Sequence, residues 1–124
     1  MAIHNDVGAW GEGIAREFLL AKGYAIGEEN LKVGNYEIDF IARKDDRIVF
    51  VEVKTRSSRS YDPLDAVDRK KIARLVRAAD EYLRARQERL EPQFDIIAVV
   101  GSATGGYEVE HFPDAFFPPL QSYR

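Results

Sequence analysis

Apolar residues in the first part of the chain recur every three or four positions, at Val7, Trp10, Ile14, Phe18 and Ala21. That spacing marks one buried face of a helix. Asn5 or Asp6 can cap it, and Gly23 stops it after about Lys22. Tyr24 to Gly27 reads as a short strand, and a polar connection then runs through Glu28, Glu29, Asn30 and Lys32 to Gly34-Asn35. The period then changes to two. Strands are predicted at Tyr36 to Arg43 and Arg47 to Thr55, around the charged turn Lys44-Asp45-Asp46. Arg56 to Pro63 is rich in Ser and Arg and reads as a loop. Helical spacing returns after Asp68, a natural N-cap, with Ile72, Leu75, Val76, Ala79, Tyr82 and Leu83 on one face. This helix is expected to reach about Leu90, because Pro92 cannot continue it. Phe94 to Val100 has the composition of a fully buried strand, and Gly101 to Gly106 is a turn. Tyr107 to Phe112 reads as an edge strand, and the Pro-rich end from about residue 113 reads as a surface tail. The order α-β-β-β-α-β-β predicts one α/β domain over residues 1–124, a central mixed sheet flanked by helices.

Alternation in the two middle strands places chemistry as well as core. In the second, Val49, Val51 and Val53 point one way, and Ile48, Phe50, Glu52 and Lys54 the other. In the first, Ile38, Phe40 and Ala42 share one face, and Glu37, Asp39 and Ile41 the other. A two-residue turn at Asp45-Asp46 sets Ile41 opposite Phe50, Asp39 opposite Glu52 and Glu37 opposite Lys54. Opposed side chains lie about 4.5–5.5 Å apart at Cβ, so four polar groups converge. A slip of one residue would bury the charges and expose the valines. Facing carboxylates repel, and a divalent cation relieves this: Mg²⁺ takes one or two carboxylates and leaves positions for phosphate oxygens. Lys54 would then orient water or stabilise developing charge. The plain alternative is a solvated strand surface with a Glu37–Lys54 ion pair.

Composition alters this picture in two places. Hydrophobic residues make up 45% and charged ones 31%, as in an ordinary globular domain, and cysteine is absent. The absence removes disulfides, thiolate metal sites and cysteine nucleophiles, and it agrees with a cytoplasmic location. The start of the chain lacks a signal-peptide pattern, and no apolar run approaches the roughly 20 residues of a membrane helix, so no membrane partner is expected. Net charge is −3, yet from Lys54 to Arg77 eight bases face three acids. That segment carries +5 and the rest of the chain −8, an asymmetry suited to steering a polyanion. Arg69, Lys70 and Lys71 also crowd the first turn of the second helix, where the dipole favours an anion. Lys71 and Arg74, three apart, are expected to face one groove. His4 and His111 have no ligand-spaced partner and read as incidental.

Asp39 followed by Glu52-Val53-Lys54 resembles the PD-(D/E)xK motif of restriction-endonuclease-like nucleases. The surrounding residues make the likeness more specific. They are Gly8-x-x-Gly11-Glu12-x-x-Ala15, Gly23-Tyr24, Asn30, Glu37-Ile38-Asp39-Phe40-Ile41-Ala42, Val49-Phe50-Val51-Glu52-Val53-Lys54-x-Arg56, Ala66-Val67 and Lys71-x-x-Arg74. In this order they are similar to the YraN-type family of small bacterial proteins, in the Holliday-junction-resolvase-like branch. The resemblance implies a restriction-endonuclease-like core, metal ligands at Asp39 and Glu52, and Lys54 as catalytic lysine. It also implies that Glu12 joins the metal site from the first helix, with Glu37 in a supporting role. Two positions depart from the family pattern, Lys32 for arginine and Tyr36 for glycine, and Tyr36 adds bulk near the site. Gly8, Gly11 and Gly13, costly in a helix, point to close backbone approach there.

These features lead to one expectation and one alternative. The expectation is a Mg²⁺- or Mn²⁺-dependent endonuclease hydrolysing phosphodiester bonds in branched or otherwise structured DNA, held by Lys32, Arg56, Arg59, Lys70, Lys71 and Arg74. A homodimer would serve to cut two strands. The alternative is a non-catalytic nucleic-acid-binding or protein-interaction module that retains the nuclease fold.

Overall fold

A computed structural model describes residues 3–57 and 69–116, with side chains from residue 7 onward. Its elements are α1 (Ile3–Ala21), β1 (Ala25–Val33), β2 (Tyr36–Lys44), β3 (Arg47–Arg56), α2 (Arg69–Arg86), β4 (Glu91–Ser102) and β5 (Gly106–Phe112). The five strands form one mixed sheet in the order β1-β2-β3-β4-β5. Only the β3–β4 pair is parallel, as expected for two strands joined through a helix. Among the described residues no helix is long and apolar enough to cross a membrane.

The two helices cover opposite faces. On one, α2 places Leu75, Val76, Ala79 and Tyr82 against Ile41, Ile48, Phe50 and Phe94. Phe50 stacks on Phe94 with centroids 5.6 Å apart and meets Tyr82 edge-on at 6.0 Å. On the other, Ala15 and Leu19 of α1 close over Phe40, Ala42, Val49, Val51, Ile97 and Val99. Each large apolar side chain fully buried here contributes roughly 1.5–3 kcal/mol. The β3 alternation is therefore as expected, with valines toward α1 and Ile48 and Phe50 toward α2.

Several expectations need correction. The segment read as a polar connection is strand as far as Val33: it pairs with β2, and Leu31 and Val33 pack toward α2 while Glu29, Asn30 and Lys32 are exposed. Edge strands tolerate such composition. The α1 face is rotated from the predicted stripe. Ala15 and Leu19 are its buried centre, whereas Val7 is 53% exposed, and the helix starts at Ile3, before the predicted caps. α2 stops at Arg86, earlier than Pro92 requires, because Gln87 takes a left-handed conformation and Glu88 N–H caps the Leu83 carbonyl at 3.0 Å. β4 begins at Glu91 and includes Pro92 at its start. The chain after β5 is no free tail as far as Phe116. Ala115 N–H donates to the Phe94 carbonyl, and Phe116 stacks on Phe94 at 5.1 Å. His111 is not incidental either: its Nε2 lies 2.8 Å from Oδ2 of the fully buried Asp95. The predicted cap Asp68, the motif residues Ala66-Val67 and the candidate Arg59 lie outside the described residues, as does the side chain of His4.

Candidate active site

The β2–β3 hairpin pairs Lys44 with Arg47, Arg43 with Ile48, Ala42 with Val49, Ile41 with Phe50 and Phe40 with Val51. This is the predicted register, and the ladder stops there, one residue short of Asp39. Two local features account for the stop. The Asp39 carboxylate takes the place of a ladder carbonyl, accepting a 2.8 Å hydrogen bond from Val53 N–H. Opposite Asp39 on β1, between the pairs Glu29–Phe40 and Leu31–Ile38, Asn30 adopts a left-handed conformation with φ of 52°. Asn is among the few residues that do so at low cost. Alternation in β2 breaks here. Ile38 packs on the α2 side, whereas Phe40 and Ala42 pack on the α1 side, which corrects the single face predicted for the three.

Where the strands part, a cleft of about 370 Å³ opens between the beginnings of the two helices. Asp39, Glu52, Lys54 and Arg56 reach it from the hairpin, Glu12 and Gly8 from α1, and Lys71 from α2. Glu52 and Lys54 are only 4% and 8% exposed. This excludes the solvated strand surface that spacing alone left open. Glu52 is closely held: the Tyr36 hydroxyl donates to Oε1 at 2.9 Å, and Lys71 and Lys54 approach Oε2 at 2.9 and 3.4 Å.

Burial and like charge set the electrostatics. The Asp39 carboxyl is pushed up to about 7, first by burial, then by the negative charges of Glu52 and Glu12, against the Val53 N–H bond. Glu12 is raised too, chiefly by burial and by Glu37, Glu29 and Glu52, while a hydrogen bond from Asn30 opposes this. Lys54 is lowered by burial and by its neighbour Lys71. Lys71 is raised in spite of burial, through hydrogen bonds to Glu52 and Lys54. One amine thus leans toward neutrality while its neighbour keeps the charge.

Of the sequence-predicted residues, the cleft brings together Glu12, Asp39, Glu52, Lys54, Arg56 and Lys71. Glu37 is exposed, and the β2–β3 ladder ends at Phe40–Val51, so the expected Glu37–Lys54 opposition lies beyond the paired part of the hairpin. Lys32 and Lys70 are exposed. Lys71 and Arg74 line different cavities rather than one groove. The crowded bases at the start of α2 find part of their anion within the protein, at Glu52. Of the three α1 glycines only Gly11 marks a close approach, since a Cβ there would collide with Thr55 of β3. Gly8 and Gly13 have open space.

Sequence reasoning gave Asn30 no role of its own, where it is the left-handed residue of β1 whose side chain bonds Glu12. It also took Tyr36 for bulk alone, where the hydroxyl holds Glu52. An asparagine inside a strand beside an acidic motif was the available signal for the first; nothing local announces the second.

Carboxylate oxygens from Asp39 and Glu52, with Glu12 close enough to raise the charge cost, match the hard-donor chemistry of Mg²⁺ or Mn²⁺. Like-charge crowding around Asp39 is the cost a cation would remove. Among the described residues no group of three His, Cys, Asp or Glu side chains is drawn together tightly enough to hold an ion unaided. Asp39 and Glu52 are the carboxylates that could hold such an ion.

Comparison with known proteins adds lineage. The sequence model of a family described as "Uncharacterised protein family UPF0102" matches residues 11–99. A UPF0102 protein of Bacteroides thetaiotaomicron is 44% identical over 121 residues, covering 97% of this chain and 99% of that one. One of Flavobacterium psychrophilum is 48% identical over 118 residues, covering 94% and 98%.

Proposed function

The chain belongs to the uncharacterised protein family UPF0102, and we propose that this member is a Mg²⁺- or Mn²⁺-dependent nuclease that hydrolyses phosphodiester bonds in structured DNA. The observation that carries the proposal is the cleft at the parting of β2 and β3, where Asp39 and Glu52 stand beside Lys54. The α-β-β-β-α-β order and the mixed sheet support reading the fold as a restriction-endonuclease-like core. Asp39 and Glu52 would hold the ion, with Glu12 on the facing wall. When bound, it would polarise the scissile phosphate and acidify water. Lys54, biased toward its neutral form, is suited to orient the attacking water and accept its proton. Lys71 keeps its charge to balance Glu52 and, with Arg56 in the same cleft, to draw in a phosphate. Two copies would be needed to cut both strands of a junction symmetrically.

The test is incubation with plasmid, single-stranded, flap and four-way-junction DNA, with Mg²⁺ or Mn²⁺ and with EDTA, for wild type and Asp39→Ala. Cleavage is expected only with metal and to fall at least about 100-fold in the variant, as for loss of a metal ligand. If neither metal supports cutting of any substrate, or the variant cuts equally well, the proposal fails. One observation favours a second reading, a non-catalytic DNA-binding module. Both Glu52 oxygens are already engaged by Tyr36, Lys54 and Lys71. That reading predicts salt-sensitive binding indifferent to EDTA, with no cleavage.

A further inference from the structure

A second concavity of about 480 Å³ lies beside the first, between the turn joining β1 to β2 and the flank of α2. We propose that it receives one unpaired nucleotide next to the scissile phosphate, so that the protein selects DNA with single-stranded character at the cut. This deepens the nucleic-acid reading above and rests on it.

Three features of the concavity support the assignment. Its apolar wall is Val33, Ala78 and the ring of Tyr36, which packs against the α2-side core. A fixed aromatic wall suits an unstacked base, whose faces a duplex keeps hidden. Its volume falls within the roughly 300–1,000 Å³ range of small-ligand pockets, too small for a base-paired helix. Its cations are Arg74 and Arg77. Among the described residues neither is held in an ion pair, whereas farther along α2 Arg84 bonds Asp80 and Arg86 bonds Glu28, each at 3.0 Å. Glu81 and Asn35 add hydrogen-bonding groups for a base edge.

The two cavities are joined through Tyr36. Its ring lines the second, and its hydroxyl holds Glu52 of the first at 2.9 Å. Along α2, Lys71 faces the first cavity and Arg74 and Arg77 the second. At a rise of 1.5 Å per residue this row of cations spans about 9 Å. A strand with its phosphate at Asp39 and Glu52 would then place the neighbouring nucleotide against Tyr36.

The experiment measures anisotropy of a labelled 12-nucleotide single strand, and of its blunt duplex, in EDTA across a salt series. It compares wild type with Arg74→Gln/Arg77→Gln, Tyr36→Ala and Tyr36→Phe, each checked for folding by thermal melt. The double arginine variant is expected to lose about tenfold or more in single-strand affinity. Its salt slope should drop by about 1.4, roughly 0.7 for each phosphate contact removed. Duplex binding should change less than about twofold. Tyr36→Ala should lose about fivefold or more on the single strand, and Tyr36→Phe, which keeps the ring, should restore it. A wild-type slope in the double variant, or equal losses on single strand and duplex, overturns the subsite. If wild type cuts nothing yet these selective losses appear, the subsite stands and the nuclease reading falls. If Asp39→Ala abolishes cleavage while the arginine and Tyr36→Ala variants bind as wild type, the reverse holds. No binding of either DNA by wild type ends the subsite proposal.

Discussion

Asp39 is the residue whose chemistry depends most on its surroundings. Its ordinary value near 3.8 rises to about 7 in the folded chain because burial and the charges of Glu52 and Glu12 penalise the ionised form. The native state therefore binds this proton more tightly than the unfolded state. The associated stability is present below about pH 4 and is lost as pH rises through about 7. Asp39→Asn keeps an acceptor for Val53 N–H and removes the charge. Without added metal, the variant is expected to match wild type at pH 4 and to exceed it at pH 8 by about 2–4 kcal/mol. Urea unfolding at the two pH values checks this, and a difference independent of pH would show that Asp39 does not titrate in this way.

At the scale of elements, the site depends on how closely α1 lies on β3. Gly11 has no room for a side chain, because a Cβ would meet Thr55, while Gly13 faces open space. Alanine is the better helix former by about 1 kcal/mol at either position. Gly13→Ala is accordingly expected to stabilise by about 0.5–1 kcal/mol. Gly11→Ala is expected to destabilise by about 1–3 kcal/mol, as overpacking forces α1 off the sheet and carries Glu12 away from the cleft. Chemical denaturation of the two variants separates these signs. If both were stabilising, the contact between α1 and Thr55 would be looser than the structure has it.

For the molecule as a whole, the sheet is tied together outside the cleft lining by one buried carboxylate. Asp95 of β4 accepts from Tyr24 Oη at 2.9 Å, Gln93 Nε2 at 2.8 Å and Asp114 N–H at 2.9 Å, and lies 2.8 Å from His111 Nε2. The segment after α1, β4, β5 and the chain beyond β5 all meet there. Although burial works against its charge, these bonds hold its carboxyl below the ordinary value. Its contribution is thus present above the unfolded value and lost as acid titrates the folded group. Asp95→Ala should cost about 3–5 kcal/mol at neutral pH, since it leaves several buried polar groups unpartnered. A calorimetric melt reads this, and a loss under about 1 kcal/mol would mean that water replaces the carboxylate.

Local patterning decided much of this protein. Period-two alternation and one short turn were enough to place Val49 and Val51 on one face and Phe50 and Glu52 on the other. They also set the pairing from Lys44–Arg47 to Phe40–Val51, because a slip would turn every side chain to the wrong environment. Period 3.6 likewise identified the buried face of α2. The tertiary structure decided the rest. An edge strand such as β1 needs little apolar signal, so its length was hidden, and the true centre of α1 emerged only from what the helix packs against. The end of the ladder at Asp39 follows from a side chain capturing a backbone amide, beside a left-handed Asn30 on a third strand. Glu12 and Lys71 enter the cleft from elements distant in sequence. The hairpin chemistry was therefore legible from its own residues, while the enclosure that buries Glu52 and Lys54 and raises Asp39 exists only once both helices have closed on the sheet.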